Sequence, residues 1–283
     1  MISIIGLGDC GCNIAEKFST HSQYKIYFIN TKGQYTGHKM QLWPEHSSPE
    51  EYEENCPDMS DFFEDIDEEV WLIVGGSGYI SATSLRLLSY IKDRKISVLY
   101  IKPDTEFLSK TNKLIENSVF HILQEYARSG VFEKIFLFEN SSLEKIIGNL
   151  TITNFYGKIN DYIVPTIHMI NVFDNTEPIM TSFSELSQTS RICTLGAVDL
   201  NAGEEKMFFP LDSAKEKRYY FGVNKKSLET DKSLLGEIKN HIRSVPEDIR
   251  SSFSIYSTDY EENFAYVLCY TSEIQTKNHA RIE

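Results

Sequence analysis

The sequence predicts an α/β protein with a doubly wound, mostly parallel sheet, followed by a second, smaller α+β domain. Three observations support this prediction. Strand patterns alternate with helix patterns through the first 150 residues. The strand patterns are unbroken apolar runs, which suit a parallel sheet covered on both faces. After about residue 178, short strand patterns surround one helix pattern, as in a small α+β domain.

The elements follow one another in a consistent order. In the first half we predict strands at 2–6, 25–30, 69–76, 96–103 and 134–140, and helices at 11–20, 81–93 and 106–129. In the second half we predict strands at 190–200, 217–224, 251–260 and 263–271, and one helix at 228–245. This order gives three regions: an α/β domain at 1–150, a core helix and loop at 151–178, and an α+β domain at 179–283.

Charge is concentrated in one segment. The chain has a net charge of -13, and residues 45–69 contain twelve Asp or Glu residues and no Lys or Arg. Such a block repels phosphate groups, which disfavours direct nucleic-acid binding through this face. The segment is interpreted either as a solvated acidic loop or as a docking surface for a basic protein partner.

Apolar runs and cysteines exclude other classes of protein. No window approaches eighteen consecutive apolar residues, and the N-terminus lacks a basic region and a cleavage site, so we expect a cytoplasmic protein without a membrane span. The five cysteines form no Cys-x-x-Cys pair, which indicates reduced thiols. The seven histidines are scattered, so no metal-binding residues are predicted.

Two glycine-rich turns follow predicted strands. In "IIGLGDCGCNIAEKF", Gly6, Gly8 and Gly11 have the Gly-x-Gly-x-x-Gly spacing of dinucleotide-binding proteins. That alternative requires an acidic residue at the end of the second strand, where Lys32 stands instead. A P-loop GTPase is disfavoured because Gly-x-x-x-x-Gly-Lys-Ser/Thr is absent. The second turn, "VGGSGYIS" at 74–81, suggests that several loops hold one ligand.

Together the loops resemble those of the tubulin/FtsZ superfamily. "GDCGCNIAEKF" resembles the first nucleotide loop of tubulins, "FINTKGQ" the Asn-Thr-Asp loop of FtsZ, and "GGSG" the signature Gly-Gly-Thr-Gly-Ser/Thr-Gly. "IKPDTEFLSKTN", "EKIFLFENSSLEKIIG", "FYGKINDYI" and "MINVFDN" follow in the order of that family's later loops. The resemblance covers roughly residues 1–275, and its strength lies in the order of the motifs.

The resemblance implies a site for GTP or GDP with Mg²⁺. It places Glu106 at the ribose, Asn140 and Asp161 at the guanine edge, and Tyr156 as a stacking ring. It places Asn171 and Asp174 in a catalytic loop that reaches the next subunit's nucleotide. The loops that hold the phosphates would contain Gly8, Asp9, Cys10, Gly11, Asn13, Gly75, Gly76, Ser77 and Gly78. The ordinary alternatives are a solvated Asp161, a helix-capping Asn140 and a core Tyr156.

Four departures from the family pattern weaken catalysis or assembly. Tyr79 and Ile80 stand where the signature has small residues, and the acidic segment fills the place of the loop that senses the γ-phosphate. Asp174 stands one residue later than the family's acid. The core helix is short, and Pro165 is expected to interrupt it or end it near Val164. We therefore expect weakened self-association into tubulin-type filaments.

Two functions are compatible with these residues. The first is a divergent tubulin/FtsZ-like guanine-nucleotide-binding protein with weak cytoskeletal GTPase activity. The second is a tubulin-like fold that has lost GTP hydrolysis and polymerisation and acts as a structural or adaptor protein through segment 45–69. The richness in Lys, Asn, Ile and Tyr is consistent with an AT-rich phage or plasmid source.

Overall fold

The computed structural model describes residues 1–33, 35, 37–200 and 202–276. Within these residues, twelve strands form one sheet. The strands of the first half are β1 (Ile2–Leu7), β2 (Tyr24–Asn30), β3 (Lys39–Leu42), β4 (Glu69–Gly75), β5 (Lys95–Lys102) and β6 (Lys134–Glu139). All six pair in parallel, which confirms the predicted parallel sheet.

Helices cover both faces of this parallel half. They are α1 (Gly8–Phe18), α2 (Pro49–Glu54), α3 (Ser84–Leu88), α4 (Lys110–Arg128), α5 (Asn140–Ile147) and α6 (Phe155–Asp174). Alternate strand residues enter two separate cores: α1, α5 and α6 pack on one face, and α3, α4 and residues 43–66 on the other. This arrangement is the doubly wound fold that the alternating patterns predicted.

The second half extends the same sheet. Its elements are β7 (Met180–Thr181), β8 (Ile192–Val198), β9 (Glu205–Met207), β10 (Glu216–Asn224), α7 (Lys225–Thr230), α8 (Leu234–Arg243), β11 (Arg250–Thr258) and β12 (Phe264–Thr271). β8 joins β6 in parallel through the pairs Ile135↔Ile192 and Phe136↔Cys193. The full order of the sheet is β3-β2-β1-β4-β5-β6-β8-β12-β10-β11-β7, with β9 paired to β8. The domain boundaries at 150 and 178 stay predictions, because the sheet runs through both regions.

The predicted helix at 228–245 is wrong in one respect, since the structure divides this stretch between α7 and α8. The Asp231 carboxylate accepts hydrogen bonds from the backbone N–H groups of Ser233 and Leu234. An aspartate that bonds to following N–H groups favours a helix start over a helix interior. The side chain of Asp231 therefore breaks the helical pattern.

The predicted helix at 81–93 is also broken. The structure has a 3₁₀ helix at Tyr79–Thr83, the five-residue α3, and a second 3₁₀ helix at Ser89–Ile91. Thr83 and Ser84 each donate a side-chain hydrogen bond to the carbonyl three residues earlier. Such bonds compete with regular α-helical pairing. The second glycine turn is therefore followed by a 3₁₀ turn instead of a long helix.

The acidic segment is more than a solvated loop. Its apolar side chains are buried against the sheet, and Trp43, which precedes it, is buried there too; the buried residues of the segment are Tyr52, Met59, Phe63 and Ile66. The carboxylates face outward, and only Asp67 is partly covered, where it accepts a hydrogen bond from Ser3. The segment therefore forms part of the core and also presents a negative surface.

The core helix corrects a further prediction. α6 runs unbroken for 20 residues, with Pro165 inside it, so the expected interruption near Val164 is wrong. Pro165 is exposed, so its ring is on the solvent side of the helix. There the carbonyl of Asp161, which loses its N–H donor, can bond to water. The interruption of this helix is therefore no longer a reason to expect weakened self-association into filaments.

Pro165→Ala is expected to raise the free energy of unfolding by about 1–2 kcal/mol, because alanine restores the missing helical hydrogen bond. The gain is smaller than the full helix penalty of proline, because proline also restricts the unfolded chain. Urea denaturation followed by circular dichroism measures the change. A variant less stable than the parent protein would contradict the solvent-facing placement of Pro165.

Candidate functional site

The first glycine turn joins β1 directly to α1. A Cβ atom on Gly11 would lie 2.2 Å from the carbonyl oxygen of Ile73, and one on Gly6 would lie 2.7 Å from the carbonyl oxygen of Gly11. Both glycines are thus needed for the close packing of α1 on the sheet. Gly8 has φ +69°, a left-handed conformation that favours glycine.

The second glycine turn is held by its neighbours. A Cβ atom on Gly76 would lie 2.0 Å from the Tyr100 hydroxyl, and one on Gly75 would lie 2.9 Å from Cβ of Cys10. Ser81 donates a hydrogen bond of 2.5 Å to the carbonyl of Gly75, which closes the turn. A Cβ on Gly8 would meet Cγ2 of Ile80 at 2.9 Å. The Ile80 side chain therefore packs against the first glycine turn and narrows the space between the two turns.

The two turns border a cavity with two chambers. The smaller has a volume of about 210 Å³, and its lining residues include Asp9, Cys10, Asn13, Gly75, Gly76, Ser77, Pro103, Asn140, Tyr156 and Asn160. The larger has a volume of about 490 Å³, and its lining residues include Asp9, Cys10, Asn30, Thr31, Tyr52, Gly75, Ser77, Gly78, Tyr79 and Asn112. Asp9, Cys10, Gly75 and Ser77 line both chambers. The chambers are therefore adjacent parts of one site.

Asn140 is one of the polar residues that line the smaller chamber. It is only 5% exposed, and its Oδ1 atom has no hydrogen-bond partner among the residues that the structure describes. It is the first residue of α5 but does not cap that helix, whose N-cap residue is Glu139. An unsatisfied buried amide costs free energy, which a ligand that bonds to it would offset.

Tyr156 lies across the same chamber in the first turn of α6 and is 66% exposed, so it is not a core residue. Its accessible ring can stack on a planar ligand. Asn160 follows one turn later and lines the chamber while being largely buried. Sequence reasoning missed Asn160. Its signal was its position, four residues after Tyr156 and therefore on the same helix face.

Asp161 lies outside the chamber. Its carboxylate is bound to Lys17 of α1 at 2.5 Å on the surface, and it is not among the lining residues of either chamber. Glu106 is exposed in the 3₁₀ helix Thr105–Phe107 and lines neither chamber. Gly8 and Gly11 are likewise not among the lining residues of either chamber. The structure thus brings together most of the predicted phosphate and base loops but not these four residues.

Electrostatics at the start of α1 depend on Asp9. Asn30 donates a hydrogen bond of 2.9 Å to Asp9, and Lys32 lies 3.2 Å from its other oxygen. These contacts, the Asn30 bond first, lower the pKa of Asp9, so its carboxylate is charged at neutral pH. By contrast, burial raises the pKa of Cys10 and of Cys12 to about 12. Both cysteines are therefore neutral thiols at neutral pH, which disfavours a nucleophilic role.

Asn171 and Asp174 lie at the opposite end of α6. Asp174 comes eighteen residues after Tyr156, a distance of about 27 Å along the helix. Asn171 donates a hydrogen bond to the Tyr24 hydroxyl at 3.1 Å, and the Tyr220 hydroxyl donates one to Asp174 at 3.0 Å. The pKa of Asp174 is raised, chiefly by desolvation. Both residues are in the last turns of the helix, whereas the sequence predicted a loop. Within one chain they cannot reach the cavity.

Comparison with solved structures identifies the architecture. An FtsZ dimer from M. jannaschii is 10% identical, with a TM-score of 0.72 over 96% of this chain and 88% of that one. TubZ of Bacillus thuringiensis serovar israelensis, in a GTPγS-form protofilament, is 14% identical, with a TM-score of 0.71 over 95% and 86%. CetZ2 from Haloferax volcanii, in a GTPγS-bound protofilament, is 13% identical, with a TM-score of 0.71 over 95% and 92%.

The chain has the tubulin/FtsZ fold. This confirms the fold that the order of loops predicted. No protein-family model and no curated protein sequence matches the chain. At 10–14% identity, the structural likeness shows the fold alone.

A buried charge cluster supports the second glycine turn of this tubulin/FtsZ fold. Lys102, at the end of β5, is 1% exposed, and its ammonium lies 3.8 Å from the carboxylate of Glu139. Glu116 of α4 accepts a hydrogen bond of 2.9 Å from the Tyr100 hydroxyl, the group that Gly76 packs against. Burial raises the pKa of Glu116, while the nearby charge of Lys102 lowers it. The cluster thus connects β5, β6 and α4 behind the cavity.

Metal-binding clusters and membrane-spanning helices are both absent from the part of the chain that the structure describes. No group of three or more His, Cys, Asp or Glu side chains there has a metal-binding arrangement. No helix of that part combines the length and apolar character needed to cross a membrane.

Proposed function

We propose that the protein binds a guanine nucleotide, GTP or GDP, in the two-chambered cavity. The observation that carries the proposal is the buried Asn140 amide: the residue lines the smaller chamber, and its oxygen has no partner in the described residues. An amide offers both a donor and an acceptor to a base edge. Solved structures of the same fold support the proposal, since TubZ and CetZ2 were solved with GTPγS.

The base would occupy the smaller chamber. Tyr156 would stack on it, while Asn140 and Asn160 would bond to its edge. The phosphates would extend into the larger chamber, towards the part of the second glycine turn that lines it, Gly75, Ser77 and Gly78. Backbone donors and a helix N-terminus favour anions. The family resemblance also implies Glu106 at the ribose and Asp161 at the base, but neither side chain lines a chamber, so this proposal assigns them no contact with the nucleotide.

Asp9 would determine whether a phosphate at the start of α1 needs a cation beside it. It is the carboxylate that lines both chambers, and Lys32 lies beside it. Mg²⁺ is commonly held by one or two carboxylates together with phosphate oxygens, so Asp9 fits that ion when a nucleotide is present. Without a cation, Asp9 would repel a phosphate placed at the start of α1.

Hydrolysis would require two copies of the chain, because Asp174 and Asn171 lie at the far end of α6 from the cavity. In a head-to-tail stack, Asp174 of one copy would activate water at the nucleotide of the next, as the family resemblance implies. The protofilament structures of TubZ and CetZ2 support such stacking for this fold. The weak GTPase would carry out this step, whereas the alternative has lost both hydrolysis and polymerisation.

A second candidate function is docking through segment 45–69. Its carboxylates face solvent on a well-packed part of the core, which supports an adaptor for a basic protein partner. This function does not require hydrolysis. A cytoplasmic location and a phage or plasmid source stay predictions.

Asn140→Ala is expected to weaken the binding of labelled GDP by about 1–3 kcal/mol, because a buried polar partner of the base is lost. Asp161→Ala is the matched control on the neighbouring surface and should leave the affinity unchanged. Titration calorimetry with GDP and GTP, with and without Mg²⁺, measures both variants, and phosphate release distinguishes an active GTPase from an inactive one. Failure of the parent protein to bind either nucleotide would disprove the proposal. If Asp161→Ala lost affinity and Asn140→Ala did not, the base would be bound by Asp161 and not by Asn140.

A further inference from the structure

The outer face of α4 carries apolar side chains that no described element covers. Leu114 is 54% exposed, Ile122 is 43% exposed and Tyr126 is 40% exposed. With Ser118, they recur every four residues and therefore form one stripe along the helix. From Leu114 to Tyr126 the stripe is about 18 Å long. Exposed apolar surface arranged in this way indicates a contact site more often than isolated residues do.

A groove of about 460 Å³ runs beside this stripe. Its floor includes Ile115, Val119 and Leu123 of α4, and Leu85 of α3 forms part of its side. The opposite wall is α2, which contributes Pro49, Glu50 and Glu53. The groove is thus apolar at its base and acidic along one rim.

The acidic rim favours an occupant that carries positive charge. α2 has four glutamates among its six residues, and no ion pair to any of them occurs within the described chain. A second copy of this chain would bring its own acidic segment and a net charge of -13 to the groove, which opposes self-association there. Anionic lipid surfaces and nucleic acids are opposed for the same reason.

We propose that this groove binds a basic amphipathic helix of a partner protein. Its apolar face would pack on Leu114, Ile122 and the floor residues, and its Lys or Arg side chains would pair with Glu50 and Glu53. Amphipathic helices commonly bind in apolar grooves of this kind. The proposal rests on the docking function proposed for segment 45–69, and it specifies the groove and the form of the partner.

The groove also borders the nucleotide cavity. Tyr79 and Ser81 line both the groove and the larger chamber. A bound helix would therefore contact the turn that follows the second glycine loop. Binding is accordingly measured with and without GDP.

The test uses a synthetic, fluorescently labelled eighteen-residue peptide with Leu on one helical face and Lys on the others, followed by fluorescence anisotropy. Leu114→Gln/Ile122→Gln and Glu50→Gln/Glu53→Gln are each expected to weaken its binding by about tenfold or more, the loss of roughly one anchoring contact. The matched controls are Ile152→Gln, at an apolar side chain that is 98% exposed elsewhere, and Asp61→Asn/Glu64→Gln, in the same acidic segment outside the groove. Both controls should bind as the parent protein does, and added salt should weaken binding.

Several outcomes would overturn the proposal. They are failure of the peptide to bind, equal binding of a peptide with Glu in place of Lys, and unchanged binding by Leu114→Gln/Ile122→Gln. Sedimentation showing a dimer that this double variant dissociates would assign the groove to a second copy. If Asp61→Asn/Glu64→Gln weakens binding as much as Glu50→Gln/Glu53→Gln, the acidic face binds but the groove does not. None of these results depends on GDP binding, which the Asn140 variant tests separately.

Discussion

Gly11→Ala is expected to lower the free energy of unfolding by about 3 kcal/mol or more, the upper range for overpacking a tight interior. The added Cβ would lie 2.2 Å from the carbonyl oxygen of Ile73, which is a backbone atom of the central strand β4. It cannot be accommodated by rotating a side chain, so α1 must move away from the sheet. Urea denaturation measures the loss.

Gly78→Ala is the matched control in the other glycine turn. Its Cβ would meet only the Ser81 hydroxyl, at 3.4 Å, and the Ile80 side chain at 3.9 Å, so its stability should stay close to that of the parent protein. Equal stability of Gly11→Ala and Gly78→Ala would show that α1 is not packed on β4 as described. The difference in stability between the two variants is measured without nucleotide. It therefore reports the packing of the first glycine turn and not its binding of a ligand.

Lys102→Met is expected to lower the free energy of unfolding by about 3–5 kcal/mol, the usual cost of removing one partner of a buried ion pair. The substitution keeps the apolar stem but leaves Glu139 and Glu116 without the cation that lies near them. Removing that charge raises the pKa of Glu116 beyond the increase that burial causes. Chemical denaturation at several pH values measures the effect.

The stability that Lys102→Met loses is expected to change with pH in one direction. A carboxyl group whose folded-state pKa is raised contributes its stability at low pH, and that contribution is lost as the pH rises through the folded pKa. The deficit of Lys102→Met should therefore be small in acid and grow towards neutral pH. Lys102→Met/Glu139→Gln is the matched control and should recover part of the loss. A deficit independent of pH, with no recovery in the double variant, would contradict an electrostatic role for Lys102.

The sequence was sufficient for the parallel half of the fold, because buried parallel strands are continuous apolar runs and their order is easy to follow. It was insufficient where a polar side chain redirected the backbone. Asp231 divided one helical pattern, and Thr83 and Ser84 replaced another with 3₁₀ turns. Pro165 was overestimated as a helix breaker, since its effect depends on which side of the helix faces water.

In the candidate site too, the sequence predicted the positions of some residues and not of others. Loops that follow adjacent parallel strands meet at one edge, so the placement of Gly75, Ser77 and Asn140 around one cavity followed from strand order. Side chains on a helix are harder to place, because one residue of difference turns a side chain by about 100°. Asp161 thereby faces Lys17, which is distant in sequence, and Asn160 takes the place at the chamber. The ion pair has no signal in a single sequence.

The two ends of the twelve-stranded sheet limit how copies of the chain can associate. The sheet ends in β3, with four residues, and in β7, with two. Short edge strands offer few open backbone groups, which protects a protein from ribbon-like growth by strand addition. Any ordered assembly of this chain is therefore expected to use its loops and helices, and added copies would not lengthen the sheet sideways.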